Sequence, residues 1–507
     1  MATYYIDPNA DAGGDGTTKA LSSGDNTHAF NTWSGLTTQA GNTYLQRAGT
    51  TVTSGIIMSV TATVGSPNVF GSYTATKDRS YEGSVRPILD GTGLGGINGF
   101  IAAGHEYYTV EDLEVKNFQN RGIQGLSNVN GGITHATIRN CHVHNCWSDG
   151  IGFYLTLPDT SDQNTDCLVE NCITHNNGYF GIAMMYAGTR MTVRNCTSYE
   201  NGWGGIAWDI WAQATNTNYN LDGGWTADGG GVYHRAYTLP VLNVTQFGPN
   251  GVLLTDGGAT ATPALGEWGV TGGNLYINTG FVPGDEYIII HNRIMDNVLF
   301  ENCTAYGNAS ADDTSIGLDE FASGIIRNCV AHTVGTGISF NLTDTCECYN
   351  NIVYDCTGEG ILLAGERSTL VYNNVIENCG AIGINFTGDD TDGTKIHNNI
   401  IIGGVDGIET NGATNLIESN NCFYNQSGSA FPTGTMDPSD IESDPLLGSD
   451  YRPTLNSPCI DAGTTSLSNK DFYGANKVRF NTDIGAVWYD SHAGTTNKKN
   501  LASGGNK

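Results

Sequence analysis

Three stretches, TIRNCHVHNCWSDGIGF (residues 137–153), CLVENCITHNNGYFGIAM (167–184) and MTVRNCTSYENGWGGIAW (191–208), are copies of one pattern. Each combines an alternation of apolar and polar residues, an Asn-Cys pair, a polar patch and a Gly-Ile pair that opens a second alternation. The pairs begin at Asn140, Asn171 and Asn195, so they lie 31 and 24 residues apart. A period of this size, with strand-type alternation and Gly/Asn turns, predicts a β-solenoid.

The same pair recurs along most of the chain. Asp112-Leu113 takes its place in the first line, and after a gap the pairs restart at Asn302, Asn328, Asn350, Asn373, Asn398 and Asn420. The later spacing of 22 to 26 residues is the length of a three-strand coil. Because parallel strands stack about 4.8 Å apart, we expect equivalent Asn side chains to hydrogen-bond from coil to coil and the Cys side chains to pack inward.

The composition favours a soluble, turn-rich protein. The 507 residues include 69 Gly and only 13 Pro, and 39% are hydrophobic, which indicates short strands and tight turns rather than disorder. A net charge of −29 gives no basic face for nucleic acid or an anionic membrane. No stretch has the pattern of a secretion signal, and none is apolar over about 18 residues. We therefore expect neither nucleic-acid binding nor membrane insertion.

The 13 cysteines recur along the repeat rather than as spaced pairs. This placement predicts buried free thiols in a protein made in a reducing cytoplasm. Cys346 and Cys348 have one intervening residue and no second pair of suitable spacing, which argues against a zinc site there.

Both ends of the chain carry familiar motifs: YYIDP at residues 4–8, GNTYLQRAGT at 41–50, RPILDG at 86–91, DYR at 450–452, SPCIDAG at 457–463 and DIGA at 483–486. These resemble the capping and first-coil motifs of right-handed parallel β-helix proteins of the pectate-lyase-like superfamily, which includes polysaccharide lyases, glycoside hydrolases and phage tailspikes. The resemblance implies an all-β fold, a single right-handed parallel β-helix with N- and C-terminal caps. It covers nearly the whole chain but specifies no activity.

The break in the repeat predicts an inserted small β-domain, since lines such as GEWGVTGGNLYINTG read as strands with hairpin turns. The resulting division has an N-terminal cap at 1–55, β-helix at 56–211, the inserted β-domain at 212–292 and β-helix again at 293–431. A C-terminal cap follows at 432–490, and residues 491–507 form a flexible tail or attachment segment.

Candidate catalytic acids flank the insertion. In the strand that the Gly-Ile pair opens, alternate residues face outward, and Asp209, Asp319 and the candidate substrate contact Asn341 hold such places. If the insertion loops out, the coils of Asp209 and Asp319 are neighbours, and their carboxyl groups approach to roughly 5 Å, as in a retaining glycosidase. Glu320 is a further candidate acid. Solvated carboxylates on an acidic surface are the alternative.

Aromatic residues cluster near the same place. Candidate sugar-stacking residues are Trp203, Trp208, Trp211, Trp225 and Tyr233. Packing at a domain junction explains the same residues equally well.

A lyase would need a base and a cation that neutralises a uronate. No residue-by-residue match to the Ca²⁺-binding acids and Arg base of pectate lyases is present. His144, His175 and His332 share one repeat position with Tyr199, Tyr306 and Tyr354, and we interpret this column as stacked rings rather than bases. No metal ligand is assigned and no cofactor is required, although the acids Asp389, Asp390 and Asp392 leave Ca²⁺ open.

Three functions remain in competition. The first is a phage virion protein, a tailspike or fibre that recognises a host surface polysaccharide and in one version cleaves it. The second is an exported, extracellular polysaccharide lyase or glycoside hydrolase, and the third is a non-catalytic decoration or adhesion protein. On the first, the protein is made in the host cytoplasm, lies on the virion surface with other virion proteins and, by resemblance, forms a homotrimer.

Overall fold

The structure is a computed structural model of the 507-residue chain. It describes residues 1–489 except 80–84, 128–132, 156–163, 186–187, 210–225, 230–231, 237–242, 248–251, 257–259, 261–266, 272–273, 279–286, 292–294, 309–313, 320–321, 342–344, 365–367, 388–392, 412–415, 465–467, 469 and 477–481. The described residues contain 46 strands, numbered in chain order, and no helix. None of them forms a helix long and apolar enough to cross a membrane.

Three parallel sheets run side by side along the molecule, and each coil contributes one strand to each sheet. Sheet A contains β1 (Thr3–Ile6), β2 (Thr43–Arg47), β5 (Asn68–Tyr73), β8 (Tyr108–Glu111), β11 (Ala136–Arg139), β15 (Leu168–Glu170), β19 (Thr192–Arg194), β29 (Met295–Glu301), β32 (Ala322–Arg327), β35 (Cys346–Tyr349), β38 (Leu370–Tyr372), β41 (Lys395–His397) and β44 (Ile417–Ser419), with β14 (Asn164–Thr165) and β18 (Gly188–Thr189) beside them.

Sheet B contains β3 (Thr51–Val52), β6 (Ile88–Asp90), β9 (Glu114–Lys116), β12 (His142–His144), β16 (Ile173–His175), β20 (Thr197–Tyr199), β30 (Thr304–Tyr306), β33 (Val330–His332), β36 (Ile352–Tyr354), β39 (Val375–Glu377), β42 (Ile400–Ile402), β45 (Cys422–Tyr424) and β46 (Ile441–Glu442). Sheet C contains β4 (Ile56–Met58), β7 (Phe100–Ala103), β10 (Ile123–Ser127), β13 (Ile151–Leu155), β17 (Ile182–Met185), β21 (Ile206–Asp209), β31 (Thr314–Asp319), β34 (Thr336–Asn341), β37 (Ile361–Ala364), β40 (Ile382–Phe386) and β43 (Asp406–Glu409). The predicted right-handed parallel β-helix of about ten coils is confirmed.

The corner between sheets A and B is the same in every coil from β8 onward. Two residues connect the strands, and the first has a left-handed φ between 53° and 61°. Asn and Asp tolerate this conformation better than other non-glycine residues. The repeated Asn is therefore explained by the corner: these residues are Asp112, Asn140, Asn171, Asn195, Asn302, Asn328, Asn350, Asn373, Asn398 and Asn420.

The second corner residue points into the core. It is Leu113 in the first of these coils and a Cys in the next five, and all 13 cysteines of the chain are buried and free, as the sequence predicts. In the second half it is an Asn, and the amides of Asn351, Asn374, Asn399 and Asn421 form a buried ladder with Nδ2–Oδ1 distances of 3.0 Å. The predicted Asn ladder thus belongs mainly to the second position rather than the first, because only that position faces the core.

Asn177, Asn201 and Asn308 form a second buried amide column where sheet B turns toward sheet C. Asn177 Nδ2 donates to Asn201 Oδ1 at 3.0 Å, and the backbone N–H of Asn201 donates to Asn308 Oδ1 at 3.2 Å. The amides satisfy backbone groups that the turn leaves without strand partners. This column supports the surface described below.

The outer face of sheet A carries ion pairs between arginines and glutamates. Arg139 and Arg79 both bind Glu111, Arg194 binds Glu170 at 2.7 Å, and Arg327 lies 2.8 Å from Glu301. Burial alone would raise the pKa of Glu111, but hydrogen bonds from the two arginines outweigh it and hold that pKa below its usual value. These groups neutralise one another, so we interpret this face of sheet A as structural.

The C-terminal segment lies against the outside of sheet B. Cys459, Phe472 and Ile484 bury the outward residues of five successive strands, which are Val330, Ile352, Val375, Ile400 and Cys422. Amide side chains at the corners bind its backbone, as when Asn350 Nδ2 donates to Lys470 O at 2.7 Å. Among the described residues, the apolar cluster that this segment forms with sheet B contains no outward residue of β9, β12, β16 or β20. That part of sheet B carries the features considered next.

Between β21 and β29 the chain forms a separate seven-stranded sheet in the order β22-β23-β27-β26-β25-β24-β28. The strands are β22 (Thr226–Gly229), β23 (Val232–Ala236), β24 (Asn243–Phe247), β25 (Val252–Asp256), β26 (Glu267–Thr271), β27 (Asn274–Asn278) and β28 (Tyr287–His291). All its pairs are antiparallel except β25 with β26.

Candidate functional site

The coils of the two candidate acids are neighbours. Strand β21 pairs with β31, where Trp208 lies opposite Leu318, and the strands end one residue later at Asp209 and Asp319. Strand β31 in turn pairs with β34, where Asp319 lies opposite Asn341. Because neighbouring parallel strands are about 4.8 Å apart, these three residues occupy equivalent places on successive coils. The backbone register is therefore compatible with the proposed carboxylate pair.

The remaining predicted residues fall partly outside the described part of the structure. The side chains of Asp209, Asp319, Trp208 and Tyr233 are not among the described groups, and Glu320, Trp211 and Trp225 lie outside the described residues altogether. The candidate Ca²⁺ acids Asp389, Asp390 and Asp392 lie outside them as well. The catalytic assignment remains a prediction.

Trp203 belongs to a row of exposed rings where sheet B turns toward sheet C. Trp147, Tyr179 and Trp203 are 75%, 46% and 49% exposed and lie on three successive coils. The rings of Tyr179 and Trp203 are 5.4 Å apart between centroids, and Phe180 packs edge-on against Trp203 at 6.2 Å. We call Trp147, Tyr179 and Trp203 the aromatic row. Exposed ring faces of this kind stack on the apolar faces of sugars.

A surface groove of about 590 Å³ is lined by Trp147 of the aromatic row and by Gly178 and Gly202, the residues that precede Tyr179 and Trp203. Its polar side is formed by Asn117, Asn145, Asn176 and Glu200, which we call the polar row. Each of the four follows directly on a strand of sheet B and has a left-handed φ between 51° and 61°. Trp147, Gly178 and Gly202 line the other side. Amide and carboxylate groups next to exposed rings can donate to and accept from sugar hydroxyls.

A buried polar cluster anchors this corner. Asp149 accepts hydrogen bonds from Tyr154 Oη and from the backbone N–H of Phe180, the latter at 3.0 Å. Arg121 Nε lies 3.2 Å from the same carboxylate, and its guanidinium stacks 4.0 Å above the Tyr154 ring. Burial, followed by the Asp149 charge, raises the pKa of Tyr154 well above its usual value. The cluster fixes the residues on either side of the aromatic row.

The predicted column of stacked rings is present on the outer face of sheet B. Neighbouring centroids are 4.5 to 5.1 Å apart and the ring planes differ by 5° to 11°, in the order His144, His175, Tyr199, Tyr306, His332 and Tyr354. The pKa of His332 is lowered by burial. A stacked, half-buried imidazole is poorly placed to abstract a proton from a polymer, which agrees with the structural interpretation.

Sequence reasoning missed most of the groove. Trp147 and Tyr179 were overlooked although both lie in the three quoted stretches, between the polar patch and the Gly-Ile pair. An aromatic residue at that place in all three stretches was the available signal. The sequence analysis also gave no role to His142, whose Nε2 lies 2.8 Å from His175 Nε2, because no other coil has a histidine at that repeat position.

A family comparison agrees with the geometry. The model of the right handed beta helix region matches residues 92–218 and 287–437, more than half of the chain. The chain therefore belongs to the right-handed β-helix family. No curated protein sequence gives a match.

Several solved structures share this architecture. XylC, solved in complex with xylose, is 9% identical with a TM-score of 0.51, and the match covers 96% of this chain and 98% of XylC. The pectate lyase Pel9A is 14% identical with a TM-score of 0.49 and 97% of each chain covered. The A-module of the mannuronan C-5 epimerase AlgE6 of Azotobacter vinelandii is 14% identical with a TM-score of 0.46, over 84% of this chain and 88% of the module. At 9% identity, the likeness to XylC is evidence of the fold alone.

Proposed function

We propose that the protein binds a polysaccharide in the groove between the aromatic row and the polar row. The observation that carries the proposal is the exposure of three large rings on consecutive coils. Trp147 lines a polar groove, and Tyr179 and Trp203 directly follow the groove residues Gly178 and Gly202. A rigid rod presents such rings at the regular spacing of its coils, which suits a ligand that is itself a repeating polymer. Buried amides hold the corner beneath, so the groove is formed before the ligand binds.

The proposal includes cleavage of the bound chain by Asp209 and Asp319. Trp203 and Asp209 belong to one coil, and six residues of extended chain span at most roughly 20 Å. An oligosaccharide stacked on Trp203 can therefore reach the end of β21. There one carboxyl group would protonate the leaving oxygen and the other would attack the anomeric carbon, as in retaining glycosidases. Asn341, opposite Asp319 in β34, would contact the sugar.

Binding is tested on a panel of polysaccharides with single-ring variants. Each of Trp203→Ala and Tyr179→Ala should weaken binding by about 0.5–1.5 kcal/mol, roughly two- to tenfold, through loss of stacking. Tyr424→Ala is the matched control, because Tyr424 is 39% exposed but lies on β45, at the far end of sheet B. Equal effects at Tyr424 and Trp203 would refute the groove as the binding site.

Cleavage is tested by the release of reducing ends together with the ultraviolet absorbance of an unsaturated sugar. Reducing ends alone indicate hydrolysis, and both signals indicate a lyase. Asp209→Asn and Asp319→Asn should each abolish hydrolysis and leave binding intact. Glu409→Gln, at the end of β43 in the same sheet, should leave both hydrolysis and binding unchanged. Undiminished hydrolysis in either Asp variant removes the pair.

The biological setting that we propose is the tailspike or fibre of a phage, which rests on the resemblance of the end motifs. It implies a homotrimer on the virion surface, held by other virion proteins. Light scattering on the purified protein should give the mass of three chains. A monomer at all concentrations would contradict the tailspike assignment but not polysaccharide binding by the groove.

A further inference from the structure

We propose that His142, His144 and His175 bind a divalent transition metal ion, such as Zn²⁺, on the outer face of sheet B. His142 and His144 are two residues apart on β12, so both side chains leave the same face of the sheet. His175 lies opposite His144 on the neighbouring strand β16. One ring nitrogen from each of the three lies within 4.8 Å of the others. Three imidazoles are an established donor set for zinc.

The distance between two of the rings fits a shared ion. Nε2 of His142 and Nε2 of His175 are 2.8 Å apart. With Zn–N bonds of about 2.0–2.1 Å, two nitrogens on one tetrahedral ion lie roughly 3.3 Å apart. A movement of about half an ångström would therefore convert this contact into coordination, which is within the reach of half-buried side chains.

The proton on His175 is held away from the cluster. His175 Nδ1 lies 2.6 Å from Asn176 Oδ1, and the amide is oriented because its Nδ2 donates to Glu200 Oε2 at 3.4 Å. A carbonyl oxygen only accepts, so Nδ1 carries the hydrogen and Nε2 presents its lone pair toward His142. Histidines that bind metals are commonly fixed in this way by a partner on the second nitrogen.

His144 has an unsatisfied ring nitrogen. Its Nε2 is 3.4 Å from Glu114 Oε1, while its Nδ1 is buried and has no hydrogen-bond partner among the described residues. A buried polar atom without a partner calls for an explanation, and a metal ion close to the ring would supply one. Glu114 lies opposite His142 on β9, so its carboxylate can serve as a further ligand or as the partner of His144.

The charged groups of β9 next to the cluster are paired with each other. Lys116 Nζ is paired with Glu114 Oε1 at 3.2 Å, so this cation is already compensated.

Stacking alone does not explain the cluster. The column of rings runs through His144 and His175 to Tyr354, and His142 is not part of it. At the place of His142 the neighbouring coils have Glu114, Ile173, Thr197 and Thr304. His332 occupies the column between Tyr306 and Tyr354, and no other histidine of the described part of the chain stacks on its ring. A histidine at position 142 therefore adds a ligand where the fold accepts Ile or Thr.

The test is a titration of untagged, chelator-treated protein with Co²⁺, followed by competition with Zn²⁺. We expect one equivalent of Co²⁺ per chain with a visible absorption band, displaced by Zn²⁺ and unaffected by Mg²⁺. His142→Thr and His175→Tyr introduce residues that the next coils already hold, so the fold should survive. Each should weaken Co²⁺ binding by at least about 100-fold, since loss of a ligand exceeds the loss of a second-shell partner.

His332→Tyr is the matched control, because it changes the same column away from the cluster and should leave Co²⁺ binding unchanged. Circular dichroism of each variant shows whether the fold is kept. Absence of stoichiometric Co²⁺ binding in the wild-type protein overturns the proposal. Retention of tight binding in folded His142→Thr or His175→Tyr also overturns it. Both outcomes are independent of polysaccharide binding, which is measured on metal-free protein.

Discussion

Replacement of one amide in the buried ladder should destabilise the rod far more than replacement of a thiol at an equivalent corner. Asn374 is fully buried. Its Oδ1 accepts from the backbone N and the Nδ2 of Asn351 at 2.9 and 3.0 Å, and its Nδ2 donates to Cys348 O at 2.9 Å and Asn399 Oδ1 at 3.0 Å. Asn374→Ala removes all four bonds.

The magnitude follows from which groups lose their partner. The side chain of Asn351 keeps a bond to Ile326 O, and Asn399 Oδ1 keeps the backbone N–H of residue 374. The backbone N–H of Asn351 is left buried without this acceptor, at about 1–3 kcal/mol. The Cys348 carbonyl loses the hydrogen bond from Asn374 Nδ2. This loss and the small cavity left by the amide further reduce the stability. We expect a loss of roughly 3–5 kcal/mol in the free energy of unfolding.

Cys196→Ala is the matched control at the equivalent corner of an earlier coil. Its Sγ approaches Arg194 O at 3.3 Å and Val169 O at 3.7 Å and contacts the thiols of Cys172 and Cys303, and a thiol is a weak donor and a weak acceptor. The expected loss is about 1–2 kcal/mol, mainly from the lost sulfur volume. Urea unfolding followed by circular dichroism measures both variants. If Asn374→Ala lowers the free energy of unfolding no more than Cys196→Ala does, the hydrogen bonds of the amide ladder do not stabilise the core more than the thiols do.

Two further predictions concern stability. Glu418 and Asp440 both accept from the backbone N–H of Asp437, and burial together with the neighbouring Asp440 raises the pKa of Glu418 to about 8. The folded state thus binds a proton that the unfolded state releases near pH 4.5, so the free energy of unfolding should fall as pH rises from about 4.5 to 8. In Glu418→Gln the dependence of the urea midpoint on pH should become weaker. An unchanged dependence would show that this carboxyl pair does not cause it. The second prediction concerns the corner residue Asn171, which has a φ of 54°. Asn171→Val should lower the free energy of unfolding by about 1–2 kcal/mol, and Asn171→Gly should lower it by only about a few tenths of that unit. Equal melting temperatures of the two variants would contradict the left-handed corner.

Repetition explains which parts of the structure the sequence could predict. The Asn-Cys pairs fix the coil length and hence the neighbouring positions of Asp209 and Asp319, because residues at one repeat position must stack. The ring column from His144 to Tyr354 follows by the same reasoning. Features that occur once leave no such signal. His142 has no counterpart in other coils. The packing of the C-terminal segment on sheet B buries residues such as Phe472 and Val375 in one apolar cluster, and no periodicity encodes it.

The constant corner between sheets A and B also determines where the molecule can change. The connection from sheet A to sheet B always has two residues from β8 onward, whereas the connection from sheet C back to sheet A ranges from two residues, between β31 and β32, to residues 210–294 between β21 and β29. Even across that long connection, Thr192 of β19 still pairs with Leu299 of β29, as if the coils were consecutive. The edge of the rod between sheets C and A therefore accepts connections of very different length. Foreign segments grafted there should leave the register of the coils intact, which makes the protein a scaffold for displaying loops or whole domains at a fixed spacing.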